Sequence, residues 1–236
     1  MTAADDILQD RGTLLTMRQA NKWLDGRKII NMADLTIKKG RIIGVVGDNG
    51  YGKTVLLKMM AGLMEQDSGE IVRYTKEISF VLSGRSFYPW MRVMDALKYY
   101  RDFYDDFDIN RAQQLIGESA LEPDRKIRLL STGQQERLCL ILALARNSRL
   151  YLMDEPLNGI DPPFKKDFKK FLLANLPEDA SVVMATHLLK ELEYLFDEVL
   201  FVTGYGIRQM ETEEIREKYH QSVEDYYMEV VRCEKV

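Results

Sequence analysis

The run Gly47-Asp48-Asn49-Gly50-Tyr51-Gly52-Lys53-Thr54 follows directly on the apolar segment Ile42-Ile43-Gly44-Val45-Val46 and leads into the helix-like Val55-Leu56-Leu57-Lys58-Met59-Met60-Ala61. Glycines so spaced let the backbone curl until successive N–H groups converge on one oxyanion. Lys53 adds a point charge, and the Thr54 hydroxyl is suited to ligate Mg²⁺. A plain strand-to-helix turn would also use glycine, but it would not ask for a lysine and a hydroxyl immediately after the last one. Tyr51 fills a slot that is usually small in such loops and is expected to lie outward over it.

Two further groups bear on the same chemistry. Leu150-Tyr151-Leu152-Met153 delivers Asp154 and Glu155 to the end of an apolar strand. Asp154 is suited to hold Mg²⁺, directly or through water, and Glu155 to polarise a water that attacks a terminal phosphate. Acids also end strands simply because they favour the next turn. Leu129-Leu130-Ser131-Thr132-Gly133-Gln134-Gln135-Glu136 stands just before the most apolar helix-like segment, where Ser131 could be an ordinary N-cap. His187 follows Val182-Val183-Met184-Ala185-Thr186 and, taken alone, reads as a structural histidine.

The elements that must position these groups are legible in outline. Short continuous apolar runs at Ile42 to Val46, Leu150 to Met153, Val182 to Ala185 and Val199 to Val202 have the pattern of buried parallel strands. Helical patterns separate them, giving an α/β layer whose ligands gather at the carboxyl ends of the strands. The first forty residues alternate more loosely and turn at Asp25-Gly26 and Lys39-Gly40, as antiparallel strands do. From about Ser86 to Arg128 the strand signal gives way to a helical insertion rich in aromatic and acidic residues, and the stretch from Gly206 on reads as charged and helical.

At 236 residues with 46% hydrophobic content the chain buries a substantial core. Its longest apolar run, Leu138 to Ala145, falls far short of the roughly 20 residues that span a bilayer. The start, Met1-Thr2-Ala3-Ala4-Asp5-Asp6, lacks the layout of a secretion signal, so the chain is expected in the cytosol. Two distant cysteines, Cys139 and Cys233, indicate neither a disulfide framework nor a zinc site. A net charge of −4 argues against nucleic acid as the partner.

Taken in order, the glycine-lysine loop, Leu130-Ser131-Thr132-Gly133-Gln134, the strand ending Asp154-Glu155-Pro156, Leu157-Asn158-Gly159-Ile160-Asp161 and His187 resemble the ATP-binding subunit of an ABC transporter over nearly the whole chain. The resemblance implies a P-loop NTPase core with a mixed, mainly parallel sheet, an N-terminal antiparallel β region and a helical subdomain. As one domain, it would have a core lobe of about 1–85 and 148–205, a helical subdomain of about 86–147 and a C-terminal extension of about 206–236. It also implies ATP and Mg²⁺ as ligands. Gly47, Asn49, Gly50, Gly52, Lys53 and Thr54 would hold the phosphates, Trp23 would stack on adenine, where a tryptophan could equally be a core anchor, and Thr54, Asp154 and Ser83 would serve the metal. Ser83 stands where the family keeps a glutamine, and Thr132 where it keeps a glycine.

Glu155 and His187 would act on the terminal phosphate. Ser131, Gly133 and Gln134 would face the ATP of a second ATPase subunit, with Asp161 communicating between the two sites. The partners implied are that second subunit, identical or related, and a separate transmembrane permease holding the chain at the inner face of the cell membrane. Phe87-Tyr88-Pro89-Trp90-Met91 is either the permease contact or ordinary core. The aromatic-acidic run near Tyr100 resembles some bacterial drug and peptide-antibiotic exporters. A soluble ATPase of the same type serving assembly, for example of iron–sulfur centres, and a weakly hydrolysing regulator prompted by Ser83 and Thr132 are the alternatives.

Overall fold

The computed structural model describes residues 12–82, 87–88 and 90–231. In chain order its elements are β1 (Thr13–Leu24), β2 (Arg27–Lys38), β3 (Ile42–Val46), α1 (Lys53–Met60), β4 (Ser68–Arg73), β5 (Ile78–Leu82), α2 (Val93–Phe103), α3 (Ile109–Glu118), α4 (Thr132–Leu144), β6 (Leu150–Asp154), α5 (Pro162–Asn175), β7 (Ser181–Ala185), α6 (Leu189–Leu192), β8 (Glu198–Val202), β9 (Ile207–Glu211), α7 (Thr212–Tyr219) and α8 (Val223–Tyr226). They form an α/β fold in two units, one running up to Lys76 and resuming at Ser181, the other Glu77–Ala180.

In the first unit, β1 pairs antiparallel with both β2 and β4, with Met17 opposite Leu35 on one side and Ile71 on the other. Register shifts interrupt the long β1–β2 ribbon; such irregularities bend a strand and add twist. The strands β7, β3 and β8 run parallel, with Gly44 opposite Met184 and Val199. All of their residues are buried except Ile42, which is half-buried. This is why they read as uninterrupted apolar runs rather than alternating ones.

The residues just after Gly206 differ from the sequence expectation: they form β9, antiparallel to β8, and the helix begins only at Thr212. Tertiary pairing overrides the local charge pattern here. The Gln209 side chain donates to the Thr36 carbonyl at 2.9 Å and accepts from the Thr36 N–H at 3.0 Å, tying the strand to β2 as well.

In the second unit β5 and β6 run parallel, Leu82 opposite Asp154. Helices α2, α3 and α4 close around Val93, Leu97, Leu115, Ile116, Leu138, Ile141 and Leu142, all buried. Much of the aromatic-acidic run serves this core. Tyr100 meets Tyr104 and Phe107, while Arg146 grips Asp106 through two bonds of 2.9 and 3.0 Å and lies 3.9 Å over the Tyr104 ring. Tyr99 and Phe103 instead stack on each other and stay exposed. Among the described residues no helix is long and apolar enough to cross a membrane.

Candidate functional site

The first unit carries the glycine-lysine loop. Strand β3 ends at Val46 and α1 starts at Lys53, so the loop between them presents the opening turn of a helix. Gly52 is the N-cap residue in the left-handed region, φ 94°, and a methyl built on it would come within 2.6 Å of Ile29 Cγ2; only glycine fits. Gly47 is held to glycine by proximity, since a methyl there would lie 2.6 Å from the Val202 carbonyl oxygen. No side chain caps α1 and no acid stands in its first turn, which leaves its N–H groups and partial positive charge toward an anion.

Lys53 is 8% exposed and donates to the carbonyls of Gly47 at 2.8 Å and Asp48 at 3.3 Å, so its ammonium lies across the loop itself. Asp48, Asn49 and Gly50 are exposed. Tyr51, expected outward, is half-buried, its ring edge 3.8 Å from where a methyl on Gly204 would sit.

His187 is exposed just beyond the end of β7, and a bond of 3.0 Å from the Leu188 N–H to the Thr186 hydroxyl turns the chain there. Trp23, at the end of β1, is 40% exposed. It is no core anchor. Its N–H donates to Asp67 at 2.7 Å, and Lys28 lies 5.0 Å over its ring. That N–H first, and then Lys22, hold the Asp67 carboxyl below the usual carboxylate range.

The second unit carries the acids. Asp154 is the last residue of β6 and only 5% exposed, whereas Glu155 is half-buried. Glu155 has φ 50°, a left-handed conformation that costs a non-glycine residue about 1 kcal/mol or more. Gln19, Asp25, Met32, Ala120 and His220 share this sign of φ, so the conformation alone does not single Glu155 out. A hydroxyl, as on Thr54, and a carboxylate, as on Asp154, are each the hard oxygen type of donor that Mg²⁺ takes. Among the described residues no three His, Cys, Asp or Glu side chains gather into a metal cluster. Ser83 lies outside the described residues.

Helix α4 begins directly after Ser131. Ser131 accepts from the Gln134 N–H at 3.2 Å, and the Gln134 side chain accepts from the Ser131 N–H at 3.0 Å, a reciprocal capping box. Ser131 is therefore an N-cap, and it is exposed. Behind it Gly133 is buried against the chain at Gly159-Ile160-Asp161, since a methyl there would lie 2.8 Å from the Gly159 carbonyl oxygen. Thr132 turns its methyl to Gly159, which it would meet at 3.0 Å if that residue had a side chain. Asp161 caps α5, accepting from the Phe164 N–H at 3.0 Å, and its other oxygen receives Arg137 at 2.7 Å. Arg137 also lies 4.2 Å over the Phe164 ring. Sequence reasoning missed Arg137; its place three residues after Gln134, on the same face of α4, was the available signal.

The aromatic run divides by residue. Phe87 and Met91 pack on the helical core, while Tyr88 and Trp90 are 59% and 66% exposed and stack at 4.4 Å. Pro89 lies outside the described residues.

The sequence model of the ABC transporter family (ABC_tran) matches residues 30–158. The chain is 28% identical over 218 residues to the ABC transporter ATP-binding protein YtrB of Bacillus subtilis (strain 168), covering 87% of this chain and 75% of the relative. It is 28% identical to the spermidine/putrescine import ATP-binding protein PotA of Spiroplasma citri, covering 84% and 61%. It is 30% identical to the cytochrome c biogenesis ATP-binding export protein CcmA of Reclinomonas americana, covering 73% and 84%. A solved ATP-binding subunit of an ABC transporter superposes with a TM-score of 0.83 at 20% identity, over 92% of this chain and 99% of that one. With the family matched over more than half its length and the fold shared almost throughout, the chain belongs to the ABC transporter family as a nucleotide-binding subunit.

Proposed function

We propose that the chain is the Mg²⁺-dependent ATPase that powers transport of a substrate through a separate permease, working as one of a head-to-tail pair of ATPase subunits. The observation that carries this reading is the buried Lys53 laid across an amide-lined loop at the uncapped start of α1. ATP phosphates compete for Lys53 and the N–H groups from Gly50 to Thr54, with Asn49 at the rim and Trp23 as the adenine platform. Thr54, Asp154 and Ser83 would hold Mg²⁺, which when bound would neutralise charge developing on the transferred phosphoryl group. Glu155 orients and polarises the attacking water, and His187 donates to the terminal phosphate.

Ser131, Gly133 and Gln134 of the second subunit close over the nucleotide, and Asp161 with Arg137 links that tip to α5. Nucleotide then binds the closed pair better than the open one, and hydrolysis removes that difference, which is what lets ATP drive a conformational cycle. The permease contact is the exposed Tyr88–Trp90 stack, in keeping with aromatic anchors at interfaces. The chain would then sit at the cytoplasmic face of the membrane. Export is the direction favoured by the aromatic run of α2 and the likeness to CcmA, against the equally close likeness to PotA.

The test is ATP turnover by purified chain with Mg²⁺ or with EDTA, for wild type, Lys53→Ala and Glu155→Gln. Turnover should require Mg²⁺. Lys53→Ala should lose ATP binding. Glu155→Gln should bind ATP, accumulate as a closed dimer and turn over on the order of 100-fold to 10,000-fold more slowly, the usual cost of losing a positioned base. Wild-type turnover by Glu155→Gln would refute the role given to that carboxylate.

A further inference from the structure

Tyr227 follows α8 and opens the short helical turn Tyr227–Val231, near the end of the described chain. Its hydroxyl donates to Oδ1 of Asp48 at 3.1 Å, across 179 residues of sequence. Asp48 is the second residue of the phosphate loop. Its carbonyl accepts from the Lys53 ammonium and, at 3.3 Å, from the Tyr51 N–H.

The tyrosine is itself held in place. Its ring lies on Phe201, centroids 6.0 Å apart and 13° from parallel, and Tyr226 meets the same ring at 5.6 Å. Phe201 belongs to β8, whose next residue, Val202, lies with its carbonyl oxygen against Gly47. The turn leading into α8 is fixed by the Val223 N–H donating to Glu193 at 3.0 Å and by Ser222 capping the Asp225 N–H at 3.1 Å. Burial, and then the Asp48 carboxylate, hold the Tyr227 phenol well above its usual range, so it remains a donor at neutral pH.

We propose that Tyr227 is a positioning residue for ATP binding: through Asp48 it fixes the carbonyls on which Lys53 rests and the amides that follow. The proposal rests on the reading of that loop as the ATP phosphate site. A bond that merely secured the C-terminal segment would affect thermal stability and leave nucleotide affinity alone. A positioning bond acts on the loop, so it moves Kd and KM for ATP in fully folded protein.

The experiment uses the full chain and three substitutions: Tyr227→Phe, which keeps the ring stack and removes the hydroxyl, Asp48→Ala, and both together. ATP binding is measured by titration, KM and kcat by steady-state turnover well below the melting transition. Tyr227→Phe should raise Kd and KM for ATP roughly three- to tenfold, the size of one hydrogen bond to a carboxylate, with kcat changed less than about twofold. The double variant should be no weaker than Asp48→Ala alone, because both remove one interaction. Unchanged Kd and KM in Tyr227→Phe, or penalties that simply add in the double variant, would overturn the proposal while leaving the loop assignment intact. Wild-type protein that failed to bind ATP would overturn the loop assignment, and this proposal with it.

Discussion

Replacing Gly133 with alanine separates the structural from the catalytic demands on the start of α4. The new methyl would lie 2.8 Å from the Gly159 carbonyl oxygen, 3.3 Å from Ile160 Cα and 3.5 Å from the Asp161 amide, all backbone atoms that cannot swing aside. Overpacking of this kind costs about 1–3 kcal/mol, and alanine returns about 1 kcal/mol of helix propensity, so the net loss is about 0–2 kcal/mol. For a chain of this size each kcal/mol lowers Tm by about 2–4 °C, so the expected change lies between none and about 8 °C. Turnover should suffer far more. Relieving the contact moves Ser131 and Gln134 away from the segment carrying Asp161, and misplacing a positioning group by about 1 Å costs on the order of 100-fold in rate.

The assay is ATP turnover beside calorimetric melting and ATP titration of the isolated subunit. ATP binding by one subunit should persist, because the cradle at Lys53 is untouched, while hydrolysis falls by at least about tenfold. Wild-type turnover in Gly133→Ala would refute the reasoning, and so would a loss of turnover matched by loss of folded protein.

Three further outcomes follow from contacts described above. Arg137→Ala should keep the Asp161 cap but free its second oxygen, lowering turnover with little change in ATP affinity; equal losses in kcat and affinity would count against it. Asp106→Ala strands the 11%-exposed Arg146 side chain and should destabilise the second unit by roughly 3 kcal/mol, read as a shifted denaturation midpoint. Trp90→Ala should weaken association with the permease in co-purification while ATP turnover by the isolated chain stays at wild-type level; unchanged association would remove the Tyr88–Trp90 stack from the interface.

The conformation of the Gly47–Thr54 loop was readable from sequence because its demands are local: glycine where the backbone turns left-handed or nears Val202, a lysine and a hydroxyl at a helix start. The parallel strands were equally plain, since burial on both faces leaves an unbroken apolar run. What stayed hidden depends on distant partners. β9 reads as helical until Thr36 and β8 pair with it. Trp23 could have been core or surface, and its 40% exposure decides that. The even choice over Phe87 to Met91 had no single answer, because Phe87 and Met91 pack on the helical core while Tyr88 and Trp90 face solvent. Arg137 and Tyr227 join segments whose proximity no local pattern announces.

The backbone at Glu155 shows a conflict between durability and work. Glycine tolerates a φ of 50° without steric penalty, so a protein selected only to persist would place glycine between Asp154 and Pro156. Glu155→Gly should therefore leave the melting temperature unchanged or slightly higher while turnover disappears. With the role proposed for Glu155, an acid at this φ would be a stability–activity trade-off, the fold tolerating a less comfortable residue for the sake of its reaction.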